Sequence, residues 1–293
     1  MDSTGKIILI GSLFIIMMGM GLSLRGTDFK RVLKMPIAVL VGFLSQIVLL
    51  PLIAFVLNKI FGIRAEIALG LMVLAACPGG PTSNLVTHLA KGDTALSVTL
   101  TAINSLITIV TIPLIVNFGI KEYLTTTVAI GAPVNEIAGA LVVVIALPLT
   151  IGMLLKKYAS SFADKMDKPV RIVSALVLVL VIAGLSVKYI NVLGSYIEES
   201  WAVVLTLNVV TMFFAYLLAK LFGLNFKQAI TISLESGNQN GTLALTVAAI
   251  IVTNIKTIDG ANLDIPAIVF SLLMYITAIP MILLGNRMAK KVA

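Results

Sequence analysis

The sequence predicts an all-α polytopic membrane protein with nine transmembrane helices, and three observations predict it. Of 293 residues, 59% are apolar and only 12% are charged, against roughly 45–50% and about 25% in soluble domains. Apolar runs that reach the roughly 20 residues a helix needs to cross a bilayer follow one another from end to end, with short polar gaps between them. These runs do not alternate with period two, which excludes a transmembrane barrel.

The first span covers 6–24, and the Met1–Lys6 start is too short for a signal n-region with a cleavage site, so the span is expected to be retained. The second, 35–60, carries Gln46 in an otherwise apolar run. The third, 65–91, is interrupted midway by Cys77-Pro78-Gly79-Gly80-Pro81, where prolines remove backbone donors and glycines add flexibility. The fourth, 94–118, places Ser97, Thr101 and Ser105 at i, i+4 and i+8 on one helix face. The fifth, sixth and seventh cover 127–155, 170–190 and 201–222. The eighth, 227–254, is interrupted by the polar stretch Glu235-Ser236-Gly237-Asn238-Gln239-Asn240-Gly241, and the ninth covers 265–286. No room remains for a globular domain, so residues 1–293 form one transmembrane unit.

With nine crossings, alternate loops share a side, and 15 Lys and Arg residues fall on one side against 6 on the other. Short cytoplasmic loops carry the excess, which puts the N-terminus outside and the C-terminus in the cytoplasm of a cell inner (plasma) membrane. This asymmetry accounts for the formal charge of +8 without nucleic acid. One cysteine, Cys77, excludes an internal disulfide, and a lone His88 excludes a His-rich metal site. Cys77 reads as a small packing residue at a kink, and His88 as an interfacial side chain.

The two broken spans superpose as an internal repeat. Lys59-Ile60-Phe61-Gly62-Ile63 matches Lys220-Leu221-Phe222-Gly223-Leu224 at an offset of 161, and Ala68 with Ala229 and Gly80 with Gly241 keep that register. Repeat one is 6–118, with four spans, and repeat two is 127–288, with five. Equivalent helices are five spans apart, an odd number, and so cross the bilayer in opposite directions. Inverted repeats with broken helices are a signature of secondary transporters, whose site lies near the midplane.

Glu235 lies about nine residues into its span, where an ionised side chain costs roughly 2.5–3.5 kcal/mol on insertion scales. No Lys or Arg lies within the expected core to pair with it, which makes a bound cation its natural counter-charge. Hard oxygen donors suit a small alkali cation, and Gln46, Ser83, Asn84, Ser97, Thr101 and Ser105 supply them beside the two breaks. No Ser/Lys pair, paired Asp or His pair within the spans points to an enzyme.

Cys77-Pro78-Gly79-Gly80-Pro81-Thr82-Ser83-Asn84, with Gly92-Asp93-Thr94-Ala95-Leu96-Ser97 and Glu235-Ser236-Gly237-Asn238-Gln239-Asn240, resembles the bile acid:sodium symporter family over essentially the whole chain. The resemblance implies a core of about 35–118 and 197–288 moving against a panel of about 6–24 and 127–190. It implies two sodium ions, the first on Ser83, Asn84, Ser97, Thr101 and Glu235. The second would use Gln46, Glu235, Gln239 and the backbone carbonyls of Ser236 and Asn238. The implied activity is sodium-coupled symport of an organic anion, bile acid-like or a small carboxylate. Departures are a missing first helix, Pro81 where bacterial relatives often have Thr, and Met274 where some have His.

An anion is expected at the half-helix N-termini of Thr82 and Gly241, hydrogen-bonded by Asn240, with Pro81 and Met274 facing its cavity. Glu136, beside Asn135, either lines that cavity or sits near the interface. Proton coupling through Glu235 and metalloid efflux of the arsenite-permease kind, which would need Cys77, are the alternatives.

Overall fold

The computed structural model describes residues 3–124, 134–188, 190–254 and 263–292, and within these residues the chain is helical apart from short connections and two extended breaks. In order the helices are α1 (Ser3–Ser23), α2 (Gly26–Lys30), α3 (Pro36–Leu44), α4 (Leu50–Phe61), α5 (Ala65–Ala76), α6 (Pro81–Leu89) and α7 (Thr94–Tyr123). They continue as α8 (Val134–Leu141), α9 (Leu147–Tyr158), α10 (Ser160–Lys188), α11 (Ile190–Leu221), α12 (Phe226–Gly237), α13 (Gly241–Asn254) and α14 (Ile265–Val292). Five described helices are long and apolar enough to cross a membrane: Pro36–Phe61, Thr94–Tyr123, Ala138–Tyr158, Glu198–Leu221 and Ile265–Lys290. Ile10–Ser23 and Gly26–Leu33, bent by 71°, would make a sixth.

Prolines shape two of these helices in the same way. Pro51 and Pro148 each follow a π turn, at Ser45–Leu49 and Val142–Ala146. Proline has no N–H to give to the preceding turn, and the wider turn absorbs the missing bond. In the first case the widened turn contains Gln46, which is buried. Asp93 caps α7 by accepting from the Leu96 amide at 3.0 Å. Asn225 and Gln228 form a reciprocal capping box at the start of α12.

Both expected breaks are present. Between α5 and α6, and again between α12 and α13, the chain is extended, and the two extended pieces cross as an antiparallel pair at Gly79 and Gln239. The Asn240 amide donates to the Pro78 carbonyl at 2.9 Å. Each break thereby satisfies backbone groups of the other, which non-helical chain away from water requires.

Large apolar side chains cover the outside, and the buried polar side chains gather within a mainly apolar core. Leu52, Val110, Leu114, Phe213, Ile276 and Leu283 are exposed, whereas Gln46, Ser97, Thr101, Asn104, Asn208 and Glu235 are buried. α1 packs closely on α9, and a Cβ built on Gly21 would lie 2.3 Å from the Leu149 carbonyl oxygen, as one on Gly152 would from that of Met18. Small residues permit this approach of two backbones. Gly21→Leu is therefore expected to cost about 1–3 kcal/mol by overpacking. Thermal unfolding should show the loss equally in sodium and in choline.

Three boundaries differ from the sequence reading. The charged stretch read as a loop before residue 170 is helical from Ser160, with Lys156 on α9 paired to Asp164 on α10. Residues 190–200 extend α11 toward its N-terminus, and the first loop holds the short helix α2. A polar helix end looks like a loop when hydropathy alone is read. Residues 127–133 of the fifth expected span, and the side chain of Glu136, lie outside the described residues.

Candidate functional site

Glu235 stands in the last turn of α12 and is fully buried. One carboxylate oxygen accepts from the Ser97 hydroxyl and the other accepts from the Thr101 hydroxyl at 3.0 Å. Both hydroxyls come from the face of α7 that the i, i+4 spacing predicted. Asn84, in the first turns of α6, brings its Oδ1 to 2.7 Å from Ser97 Oγ and 3.5 Å from Thr101 Oγ1. Ser83 donates to the Gly80 carbonyl at 2.7 Å and also lies within hydrogen-bonding reach of Glu235. A Cβ on Gly79 would lie 2.8 Å from Glu235 Oε2 and 3.4 Å from Ser83 Oγ. The glycine thus lets the crossing chain pass against the carboxylate.

The Ser97 and Thr101 hydroxyls beside this carboxylate each face more than one oxygen. Ser97 and Thr101 each hold one hydrogen, and each hydroxyl faces Glu235, Asn84 and, for Thr101, also the Ser97 carbonyl at 3.0 Å. No Lys or Arg side chain is among the recorded partners of Glu235 in the described residues. A buried anion ringed by surplus acceptors is stabilised by a cation that takes several oxygens at once.

The end of α12 adds a second set of oxygens. A helix leaves its last four carbonyls without internal partners, and here each receives a side-chain amide. Asn238 donates to Leu234 at 2.8 Å, Gln46 to Glu235 at 2.6 Å, Gln239 to Ser236 at 2.9 Å and Asn208 to Gly237 at 2.8 Å. The amide oxygens of Asn208, Asn238 and Gln239, and the Ser236 hydroxyl, are buried without a hydrogen-bond partner. Gln46 Oε1 accepts from the Asn104 amide, whose own Oδ1 is buried and unpartnered. The negative end of the helix dipole and these oxygens make the region strongly favourable for positive charge.

The half-helix N-termini have the opposite character. Asn240 uses Oδ1 to accept from the Leu243 amide at 3.0 Å, which caps α13, and leaves Nδ2 buried without a partner. A Cβ on Gly80 would lie 3.6 Å from both Thr82 Oγ1 and the Asn240 Cα, so Thr82 and Asn240 flank the crossing. Pro81 opens α6 and Gly241 opens α13, where a Cβ would meet Ser271 Oγ of α14 at 2.1 Å. Met274 is buried on α14, three residues beyond Ser271. Of the first-turn amides, those of Ser83, Gly241 and Leu243 are already bonded, to the Gly80 and Gln239 carbonyls and to Asn240 Oδ1, so the buried donor left open to an anion is Asn240 Nδ2.

The sequence-selected residues Gln46, Asn84, Ser97 and Thr101 therefore converge on Glu235, and Ser83 lies beside Gly79. Ser105 turns back to the Thr101 carbonyl at 2.7 Å. Cys77 donates to the Val73 carbonyl of its own helix, and His88 is exposed. The sequence reading missed Asn104 and Asn208. Asn104 stands three residues after Thr101 and seven after Ser97, a helical spacing that marks it on the same face. Asn208 gives no comparable signal in its apolar helix.

The model of the Sodium Bile acid symporter family matches residues 10–196, well over half of the chain. The chain belongs to this family. The match contains Gln46, the first break, Ser97 and Thr101, and Glu235 lies beyond it. An uncharacterized sodium-dependent transporter of Bacillus subtilis, YocS, is 33% identical over 240 residues, covering 80% of this chain and 71% of that protein. A probable sodium/metabolite cotransporter of Arabidopsis thaliana chloroplasts, BASS1, is 30% identical over 239 residues, with 82% of this chain matched to 58% of that protein. This family member thus spans little more than half the length of its plant relative. In fold it is similar to a sodium proton antiporter from Methanocaldococcus jannaschii, with a TM-score of 0.54 at 15% identity, covering 98% of this chain and 83% of the antiporter.

Proposed function

We propose that this chain is a sodium-coupled symporter that carries an organic anion by alternating access. The observation that carries the reading is the fully buried Glu235, which has hydroxyl partners, unpartnered buried amide oxygens at the end of its helix, and no Lys or Arg side chain bonded to it among the described residues. One sodium ion is held by Ser83, Asn84, Ser97, Thr101 and Glu235. A second is held by Gln46, Glu235, Gln239 and the carbonyls of Ser236 and Asn238. The unpartnered oxygens at the end of α12 support the second site.

The anion, a bile acid-like molecule or a small carboxylate, meets Thr82 and the Asn240 amide at the starts of α6 and α13. Pro81, Gly241 and Met274 border its cavity. Sodium neutralises the carboxylate and fixes both breaks, so the N–H groups on their far side are ordered for the anion. Linkage then requires sodium and anion to raise each other's affinity by the same factor.

The reading assigns nine crossings: α1, α3 with α4, the broken pair α5 and α6, α7, α8 with α9, α10, α11, the broken pair α12 and α13, and α14. Its inverted repeats are 6–118 and 127–288, and a core of 35–118 and 197–288 moves against the panel of 6–24 and 127–190. The N-terminus lies outside the plasma membrane and the C-terminus in the cytoplasm.

Proteoliposomes loaded without sodium and diluted into sodium should accumulate a labelled bile acid or labelled pyruvate above equilibrium. Choline in place of sodium should abolish the accumulation. Accumulation driven by an inward proton gradient in choline contradicts sodium coupling and selects a proton-coupled carrier.

A further inference from the structure

We propose that Asn104 is a positioning residue for the second coupling-ion site, acting through Gln46 as a paired amide switch. The inference rests on the sodium reading above. Gln46 donates Nε2 to the Glu235 carbonyl at 2.6 Å and accepts on Oε1 from the Asn104 amide. In this arrangement Gln46 turns a donor toward the end of α12, the side on which an ion would need an oxygen. Asn104 keeps its own Oδ1 buried and unpartnered.

An amide carries its donor and its acceptor at nearly equivalent positions, so a half-turn exchanges them with little change of shape. Turning Gln46 alone would present its oxygen to the ion and would set its NH2 group against that of Asn104. Turning both amides removes the clash, because the Asn104 oxygen then accepts from Gln46. The hydrogen bond between the two amides is therefore made in two states, one capping α12 and one ligating the ion. α7 carries Asn104 as well as the Ser97 and Thr101 hydroxyls of the first site, which joins the two sites through one helix.

Each side chain at position 104 makes a different prediction. Alanine leaves Gln46 without a partner in either state. Aspartate only accepts, so it satisfies the ion-ligating state alone. Half-saturating sodium is read from the thermal shift of the detergent-purified full chain, with choline keeping the ionic strength fixed at pH 8.5. Asn104→Asp should lower it about threefold, whereas Asn104→Ala, which takes one bond from Gln46 in both states alike, should leave it within about twofold of native. In a Gln46→Ala background Asn104→Asp should lose its effect, leaving a value within about twofold of Gln46→Ala itself.

A packing role moves both variants in the same direction and adds to Gln46→Ala, and either result overturns the proposal. Where Asn104→Ala does not fold, Asn104→Asp with and without Gln46→Ala decides, because a direct attraction of the new charge survives the loss of Gln46 and the switch does not. A native chain that responds to sodium, with an Asn104→Asp variant that matches it, overturns this proposal alone. A native chain that does not respond to sodium overturns the sodium reading and the switch together.

Discussion

Glu235→Gln is expected to abolish the stabilisation that sodium gives the native chain while leaving a folded protein. An ion bound only by the folded state adds RT ln(1 + [L]/Kd), about 2.7 kcal/mol at 100 times Kd. Glutamine keeps the shape of the side chain and one oxygen for the Ser97 or Thr101 hydroxyl. It removes the charge and places an NH2 group among oxygens. Native protein should therefore melt several degrees higher in sodium than in choline, and Glu235→Gln should melt at one temperature in both. Removing a buried charge also relieves its desolvation cost, so the variant in choline should be no less stable than native protein in choline. Sodium-driven uptake should fall at least a hundredfold, the equivalent of roughly 2.7 kcal/mol. Equal sodium shifts in the two proteins would show that Glu235 is not a ligand.

Asn240 gives the second large effect, because its two ends do separate work. Its Oδ1 caps α13 and its Nδ2 is the buried donor assigned to the anion. Asn240→Asp keeps an effective N-cap and replaces the donor with negative charge. The folded protein and its sodium response should survive, whereas the anion concentration for half-maximal uptake should rise about ten- to a hundredfold, as expected for loss of a hydrogen bond to a charged group. Asn240→Ala should lose the cap as well, at a cost of about 1 kcal/mol, and so should lower both melting temperature and anion affinity. An Asn240→Asp protein with native anion affinity would place the substrate elsewhere.

The elements most legible in the sequence were the two breaks. Proline, glycine and a run of amides inside apolar spans leave few conformations open in a membrane, and the extended pieces at Cys77–Gly80 and Asn238–Asn240 fall where those residues stand. Ser97 and Thr101 were legible for a related reason, since helical spacing alone puts both hydroxyls on one face, and the acid they face is the one carboxylate in the eighth span. Composition could not supply the handedness of the amides. Nothing in the chain order tells that Asn208, 29 residues before Gly237, caps its carbonyl, or that Asn104 reaches Gln46 across 58 positions. Such pairings arise from tertiary packing. The helical start of α10 was hidden because its charged residues read as loop when hydropathy is the signal, although Lys156 and Asp164 tie it to α9.

The most direct test of the central claim, that Glu235 holds sodium between the crossing breaks, is equilibrium binding of radioactive sodium to the purified chain, with choline as the balancing cation. Saturable binding by native protein and its loss in Glu235→Gln are the predicted results. Absence of saturable binding in the native chain, or unchanged binding in Glu235→Gln, would contradict the account.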